Sequence, residues 1–248
     1  MADVTTLTVQ TSDGVSICVD HYGRGRRQAL VVCPGFFQSK DTATFRRMSE
    51  ALARDWDVVA MDFRGHGRSG GLYAFSAQER ADLEAVLAWA RARYPRLGLL
   101  AFSMGGAIAI NTLSRSRDGI RVLVAVSAPG AFEDIEFKWW TPEAMRTGLQ
   151  GLEAGAGCRP THPWLPKERP LDRVAALSPL PLYLLHGTRD VIVGVEHSRR
   201  LYAAAREPKR LEIVEGGSHA EALFRDDPED FLRRVRPWLI ASLPPAGA

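Results

Sequence analysis

The sequence predicts an α/β fold in which a mostly parallel, doubly wound β-sheet carries helices on both faces. Short apolar segments alternate with helix-like segments along most of the chain, and strands separated by helices pair in parallel. The 248 residues suit one domain, residues 1–248, with a substantial core. The composition, 46% hydrophobic and 25% charged, is typical of a globular protein that folds in water.

The first part of the chain begins with an N-terminal antiparallel hairpin. Ser12-Asp13-Gly14 lies between two β-rich segments, and Asp-Gly is a frequent hairpin turn. Ser76 and Glu79 form a capping-box pattern, which predicts a helix from Ser76 to Arg93. The other elements predicted here are strands at Leu7–Gln10, Val15–Tyr22, Ala29–Cys33 and Val58–Met61, and a helix at Thr42–Arg54.

The second part continues the alternation up to a C-terminal helix. Strands are expected where short apolar runs are bounded by turn residues, and helices where apolar residues recur every three or four positions. The predicted strands are Gly98–Phe102, Ile120–Ser127, Leu180–His186 and Arg210–Val214, and the predicted helices are Met104–Ser114, Val195–Arg206 and Pro228 to Ser242.

Residues 130–172 interrupt this alternation. They show no strand pattern but contain three tryptophans, several prolines and a helix-like stretch over Pro142–Leu152. A connection of this length inside a compact domain is usually functional or disordered, and its aromatic content argues against disorder. We therefore expect a small cap insertion over the carboxyl edge of the sheet.

Charge, cysteines and hydropathy narrow the class of protein. The net charge is only +3, and the densest basic group, Arg24 to Arg27, lies in a predicted turn, so neither nucleic-acid nor membrane binding is indicated. Three cysteines without metal-ligand or disulfide spacing favour a reducing compartment. The N-terminus lacks a secretory pattern, and the uncharged stretch Leu97–Leu113 is short for a membrane span. We expect a cytoplasmic protein without metal or cofactor.

Ser103 is the first candidate for a reactive residue. It follows a predicted buried strand and precedes a predicted helix, in Ala101-Phe102-Ser103-Met104-Gly105-Gly106. A serine on such a turn projects its hydroxyl above the sheet edge, and the residues two positions to either side must be small. Ala101 and Gly105 meet this requirement, although glycine is usual at the first position. The alternative interpretation is a helix N-cap.

An acid and a base follow Ser103 along the chain. Asp190 lies in the loop after one predicted strand, and His219 lies in the glycine-rich loop after the next. Parallel strands bring these loops to one sheet edge, so the three side chains are expected to meet. His219 would accept the Ser103 proton, and Asp190 would orient the imidazole. The alternative interpretations are that Asp190 is a turn or helix-capping carboxylate and that His219 is a surface loop residue.

Acidic residues at the start of the cap leave a second possibility open for the acid. Glu133, Asp134 and Glu136 follow a predicted strand. A solvated turn is the favoured interpretation. One of them could instead replace Asp190, or they could bind a cationic group such as the free amino terminus of a peptide.

Backbone N–H groups near Ser103 are candidates for holding an oxyanion. The N–H of Met104 lies at the start of a predicted helix, where amides lack partners within the helix. A second donor is expected from Pro34-Gly35-Phe36-Phe37, the turn after a buried strand. Phe36 is the first candidate and Phe37 the second.

These motifs together resemble the α/β-hydrolase superfamily, and within it the branch of serine esterases and lipases with a small cap. The resemblance includes the serine turn, the chain order Ser, Asp, His, and Asp62-Phe63-Arg64-Gly65-His66-Gly67-Arg68-Ser69-Gly70. That last segment is similar to the family's D-x-R-G-H-G-x-S loop. Pro34-Gly35 stands where many members have His-Gly.

The resemblance implies hydrolysis of a carboxylic ester through an acyl-enzyme on Ser103. A thioesterase, amidase or aminopeptidase with the same residues stays open, as does a non-catalytic small-molecule binder. The expected partner is a small ester with an apolar acyl or alcohol part, and the sequence does not predict the oligomeric state. The side chains proposed for its pocket are Phe37, Trp139, Trp140, Met145 and Trp164, together with Phe36 and Phe132.

Other residues near this edge are expected to be structural. His66 belongs to the loop that resembles the family motif and is expected to form structural hydrogen bonds. His186 ends a buried strand and is expected to be a satisfied core residue. Cys33 directly precedes the turn Pro34-Gly35-Phe36-Phe37, which we call the oxyanion turn. Cys33 is expected to be a small buried residue that fills space in the core rather than a nucleophile.

Overall fold

One eight-stranded sheet forms the centre of the molecule in a computed structural model that describes residues 3–135, 155, 157–161 and 164–245. The strands are β1 Asp3–Gln10, β2 Ser16–Gly23, β3 Gln28–Cys33, β4 Asp57–Met61, β5 Arg96–Phe102, β6 Ile120–Val126, β7 Leu182–Gly187 and β8 Lys209–Val214. Their order is β1-β2-β4-β3-β5-β6-β7-β8. The β1–β2 and β2–β4 pairs are antiparallel, and the other pairs are parallel.

Helices cover both faces of this sheet. In the described ranges they are α1 Ala43–Leu52, α2 Arg80–Arg91, α3 Met104–Leu113, α4 Pro170–Arg173, α5 Glu196–Ala204, α6 Ala222–Asp226 and α7 Pro228–Ser242, with a 3-10 turn at Val174–Leu177. Successive strand side chains point to opposite faces. Leu99 therefore packs into a core with α2 and α3, whereas Leu100 packs into a second core with α1 and α7. None of these helices is long and apolar enough to cross a membrane.

The strands and helices predicted within the described residues are present with bounds shifted by a few residues, but the predicted start of α2 is wrong. The helix-like stretch Pro142–Leu152 lies outside the described residues. The helix begins at Arg80, and Ser76 has a positive φ of 75° instead of capping it. The carboxylate of Glu79 is buried and accepts the N–H groups of Ala74 and Gln78. Glu79, the second residue of the suggested capping box, thus stabilises the turn before the helix. The sequence did not predict α4, the 3-10 turn or α6.

The described parts of residues 130–172 contact the loops at the carboxyl edge of the sheet. The N–H of Gly157 donates to the carbonyl of Phe37 at 3.3 Å. The N–H of Arg159 donates to the carbonyl of Gly65 at 2.7 Å, and its own carbonyl accepts the N–H of Tyr73 at 2.9 Å. The segment therefore packs beside the loops after β3 and β4. Its assignment as a cap stays a prediction.

Candidate active site

Ser103 lies on a sharp turn between β5 and α3. Its backbone has φ 48° and ψ −121°, a conformation that costs about 1–3 kcal/mol for a residue with a side chain and clusters at functional sites. Glycine at position 105 lets the start of α3 pack against the segment after β3, because a Cβ there would lie 2.3 Å from the carbonyl oxygen of Pro34. The N–H of Ser103 donates to the carbonyl of Val126 at 2.8 Å, which ties the turn to β6.

Ser103, His219 and Asp190 form a continuous hydrogen-bonded chain. Nε2 of His219 is 3.0 Å from Oγ of Ser103, and Nδ1 of His219 is 2.7 Å from Oδ2 of Asp190. The other carboxylate oxygen, Oδ1, accepts the N–H groups of Ile192 and Val193 at 3.0 and 2.8 Å. These two bonds fix the carboxylate so that Oδ2 faces the imidazole. The structure thus brings together the three side chains that the sequence placed at one edge.

Electrostatics around this chain favour an ionised acid and a basic imidazole. Burial alone would raise the pKa of Asp190, but His219 and His186 hold it well below its ordinary range. Burial also opposes the charged form of His219, yet Asp190 more than offsets this and raises the pKa of the imidazole. The bond to Asp190 places the imidazole proton on Nδ1, so Nε2 has a free lone pair toward Ser103.

The loop after β3 forms a tight turn against Ser103. The N–H of Gln38 donates to the carbonyl of Gly35 at 3.3 Å and closes the turn. Phe37 within it has a φ of 61°. A Cβ on Gly35 would lie 3.0 Å from Cβ of Ser103, so glycine allows the close approach of the two segments.

The three candidate oxyanion donors, the N–H groups of Phe36, Phe37 and Met104, differ in whether each already has a hydrogen-bond acceptor. The N–H of Phe37 donates to Nε2 of His66 at 3.2 Å and is therefore not available to a ligand. Phe36 and Met104 have N–H groups without an acceptor anywhere in the described part of the chain. The geometry therefore favours Phe36 over Phe37 as the donor beside Met104.

His66 supports this turn, in agreement with its expected structural role. Nδ1 of His66 is 3.1 Å from the carbonyl oxygen of Arg64, which places the proton there and leaves Nε2 as the acceptor for Phe37. Burial lowers the pKa of His66 to about 4. The imidazole is therefore neutral near neutral pH. Cys33 is also as expected, since it is fully buried and burial raises the pKa of its thiol.

An aromatic cluster lies beside the turn. The ring of Phe36 is 5.1 Å from that of Tyr73 and 5.4 Å from that of Phe75, which in turn is 5.9 Å from Phe132. The sequence did not single out Tyr73 and Phe75, because they lie in an irregular loop with no periodic pattern. Phe37 is 45% exposed and its ring lies 4.2 Å from that of Phe36.

The other proposed pocket residues are less well placed or lie outside the described residues. The side chain of Trp164 is 85% exposed, so the structure gives no support for its lining a pocket. Trp139, Trp140 and Met145 lie outside the described residues.

The acidic residues that could replace Asp190 are engaged elsewhere. A carboxylate oxygen of Glu133 is 2.9 Å from Nε of Arg169. One of Asp134 is 2.7 Å from a guanidinium nitrogen of Arg200. Glu136 lies outside the described residues. Of the described acids considered for this role, Asp190 is the one that contacts His219.

His186 has a contact that the sequence did not reveal. It is buried and satisfied, as expected, with Nδ1 2.6 Å from Oγ of Ser198 and Nε2 2.8 Å from the carbonyl oxygen of Val193. Nε2 also lies 3.1 Å from Oδ2 of Asp190. His186 thus stands behind the acid as a second donor. A histidine four positions before a candidate acid is a weak signal, since in a loop this spacing does not fix proximity.

The chain belongs to the alpha/beta hydrolase family, because the family model described as "Alpha/beta hydrolase family" matches residues 30–234. The uncharacterized protein YfhR of Escherichia coli K12 is 26% identical over 197 residues, which cover 77% of this chain and 63% of YfhR. The uncharacterized protein Rv2307c of Mycobacterium tuberculosis H37Rv is 28% identical over 238 residues, which cover 90% of this chain and 73% of that protein. This chain thus spans about 63% of the length of YfhR.

Solved structures show the same fold. The Pyrococcus furiosus esterase Pf2001 superposes with a TM-score of 0.78 at 24% identity, covering 98% of this chain and 94% of the esterase. The esterase RhEst1 from a Rhodococcus species superposes with a TM-score of 0.75 at 21% identity, covering 96% and 99% of the two chains. At such identities the likeness establishes the fold.

Proposed function

We propose that the protein is a serine hydrolase that cleaves carboxylic esters through an acyl-enzyme on Ser103. The observation that carries this proposal is the chain of hydrogen bonds from Asp190 through His219 to Ser103, with distances of 2.7 and 3.0 Å. Membership of the alpha/beta hydrolase family supports a hydrolase activity, and two similar folds belong to esterases.

The mechanism follows from the geometry of these groups. Oγ of Ser103 attacks the ester carbonyl while Nε2 of His219 takes its proton, and Asp190 stabilises the resulting imidazolium. The N–H groups of Phe36 and Met104 hold the oxyanion of the tetrahedral intermediate. His219 then gives the proton to the leaving alcohol. In the second half, His219 takes a proton from water as the water attacks the acyl carbonyl. The bond between the acyl carbon and Oγ of Ser103 then breaks, Oγ regains the proton from His219, and the acid is released.

Two observations favour an ester over a peptide with a free amino terminus. The cluster of Phe36, Tyr73, Phe75 and Phe132 beside the oxyanion turn offers apolar contacts. Of the three acidic residues that could bind an ammonium group, the two that the structure describes, Glu133 and Asp134, are paired with arginines. We further propose that residues 130–172 form a cap over this site and that the protein acts in the cytoplasm on a small-molecule ester.

The test combines covalent labelling with a substrate panel. A fluorophosphonate should label Ser103 in the folded protein. Nitrophenyl esters of increasing chain length should be turned over, whereas aminoacyl-nitroanilides should not. Ser103→Ala should lower ester turnover by about 10⁶-fold with little change in thermal stability. Turnover confined to the anilides would exclude an esterase, and absence of labelling would favour a non-catalytic binder.

A further inference from the structure

A hydrogen bond joins two loops that flank the candidate site. Nε2 of Gln38 donates to Oε1 of Glu221 at 2.6 Å. Gln38 closes the turn that presents the N–H of Phe36, and Glu221 stands two residues after His219. The two loops follow β3 and β8, which lie on either side of β5 and its Ser103 in the sheet. The bond therefore spans the site from the oxyanion turn to the loop of the base.

Glu221 has a fixed backbone at the start of α6 and a carboxyl group that is buried. Its carbonyl accepts the N–H groups of Phe224 and Arg225 at 3.0 and 2.9 Å, so its backbone is fixed at the start of α6. The residue is 7% exposed, and Oε2 is buried without a partner among the described residues. Burial raises the pKa of this carboxyl, which favours its neutral form. Among the described residues, the hydrogen bond from Gln38 is therefore what holds this buried carboxyl.

The turn that Gln38 closes needs support. Phe37 has a left-handed backbone, which costs about 1–3 kcal/mol and persists only when neighbouring groups hold it. His66 holds one end of the turn through the N–H of Phe37. Cγ of Gln38 would lie 3.7 Å from a Cβ on Gly35, so the glutamine side chain packs back against the turn.

We infer that Glu221 is a positioning residue that, through Gln38, holds the turn so that the N–H of Phe36 is aimed at the oxyanion. It does not touch the substrate. This inference rests on the proposed function, since it concerns the transition state of that reaction. Displacement of a reacting or stabilising group by about 1 Å can cost about 10²-fold in rate. Loss of the bond should therefore lower kcat while substrate binding changes little.

The experiment uses a nitrophenyl ester as substrate and a trifluoromethyl ketone as inhibitor. Ser103 adds to the ketone carbonyl, and the resulting oxyanion reports on Phe36 and Met104. Glu221→Ala should lower kcat by about 10- to 100-fold, change KM by less than about threefold and weaken inhibition by the ketone in parallel. Glu221→Gln should restore kcat to within about threefold, because its amide oxygen accepts the same bond.

A second variant removes the same bond from the other side. Gln38→Ala should reproduce the fall in kcat, and the double variant should be no worse than either single variant, because the two residues act as one unit. Gln38 is half-buried, so this change leaves the core intact. Gln38→Ala therefore still tests the inference if Glu221→Ala does not fold. Glu215→Ala, an exposed carboxyl in the same loop as His219, is the control and should behave as the wild type.

Two results would overturn the inference. One is kcat within about twofold of wild type in both Glu221→Ala and Gln38→Ala. The other is a rise in KM with unchanged kcat, which would mean ground-state binding instead of transition-state positioning. Neither result affects the proposed function, because that function depends on the loss of turnover in Ser103→Ala.

Discussion

Replacing Asp190 by asparagine substitutes an NH₂ group for one carboxylate oxygen, and the structure fixes which oxygen is lost. Oδ1 accepts two N–H groups, from Ile192 at 3.0 Å and Val193 at 2.8 Å. An NH₂ group at that position would face two donors. Oδ2 also faces two donors, Nδ1 of His219 and Nε2 of His186, but an imidazole can change its tautomer whereas a backbone N–H cannot. We therefore expect the amide oxygen at the position of Oδ1 and the NH₂ group at that of Oδ2, facing Nδ1 of His219.

This orientation reverses the tautomer of the imidazole. Nδ1 of His219 must accept from the new NH₂ group, so the proton moves to Nε2 and points at Ser103. In that form His219 cannot take the serine proton. In a trypsin-like protease the same exchange lowers kcat by about 10⁴-fold, and the fixed amide orientation leads us to expect a similar loss here. Such a loss corresponds to about 5 kcal/mol of transition-state stabilisation.

The assay is steady-state hydrolysis of a nitrophenyl ester, with thermal unfolding followed by circular dichroism. Asp190→Asn should remain folded. The matched controls are Glu133→Gln and Asp134→Asn, which exchange the alternative acids in the same way and should keep kcat within about twofold of wild type. Activity of Asp190→Asn within about tenfold of wild type would refute the reasoning, as would a large loss in either control.

Three further predictions concern packing, pH and buried charge. Gly105→Ala places a Cβ 2.3 Å from a backbone carbonyl oxygen, so it should lower the Tm and abolish fluorophosphonate labelling, whereas Gly194→Ala, with open space around its Cβ, should do neither. A plot of kcat/KM against pH should fall on the acid side with a midpoint above 6.5, because the base must be neutral and the pKa of His219 is raised; a midpoint below 6 would contradict this. Nζ of buried Lys40 lies 3.2, 3.1 and 3.6 Å from three carboxylates, so Lys40→Met should cost about 3–5 kcal/mol of unfolding free energy in a urea titration, and a loss below about 1 kcal/mol would argue against that ion network.

Local sequence signals were sufficient for the fold and for the neighbourhood of Ser103. Small residues at 101 and 105 signal a crowded turn, and parallel strands bring the loops of Asp190 and His219 to the same edge. These signals depend on short spacings and on the direction of strands. They did not give the start of α2, because Glu79 binds backbone outside the helix.

Features that depend on contacts between distant loops could not be predicted. Gln38 and Glu221 are separated by 183 positions, and neither belongs to a recognisable motif. The choice between Phe36 and Phe37 as the candidate oxyanion donor depends on which of the two N–H groups donates to His66, a residue that is distant in sequence. A side-chain hydrogen bond of this kind leaves no periodicity in either segment.

As the pH falls, protonation of His219 and loss of the hydrogen bond between His66 and Phe37 occur at different pH values. His66 has a pKa lowered to about 4, so its ring continues to accept the Phe37 N–H in mildly acidic solution, long after the more basic His219 has been protonated. In that interval the proposed hydrolase would lack its base, but the turn over residues 35–38 would remain assembled. Return to neutral pH would then restore the base by loss of the proton from His219, without any rebuilding of the turn.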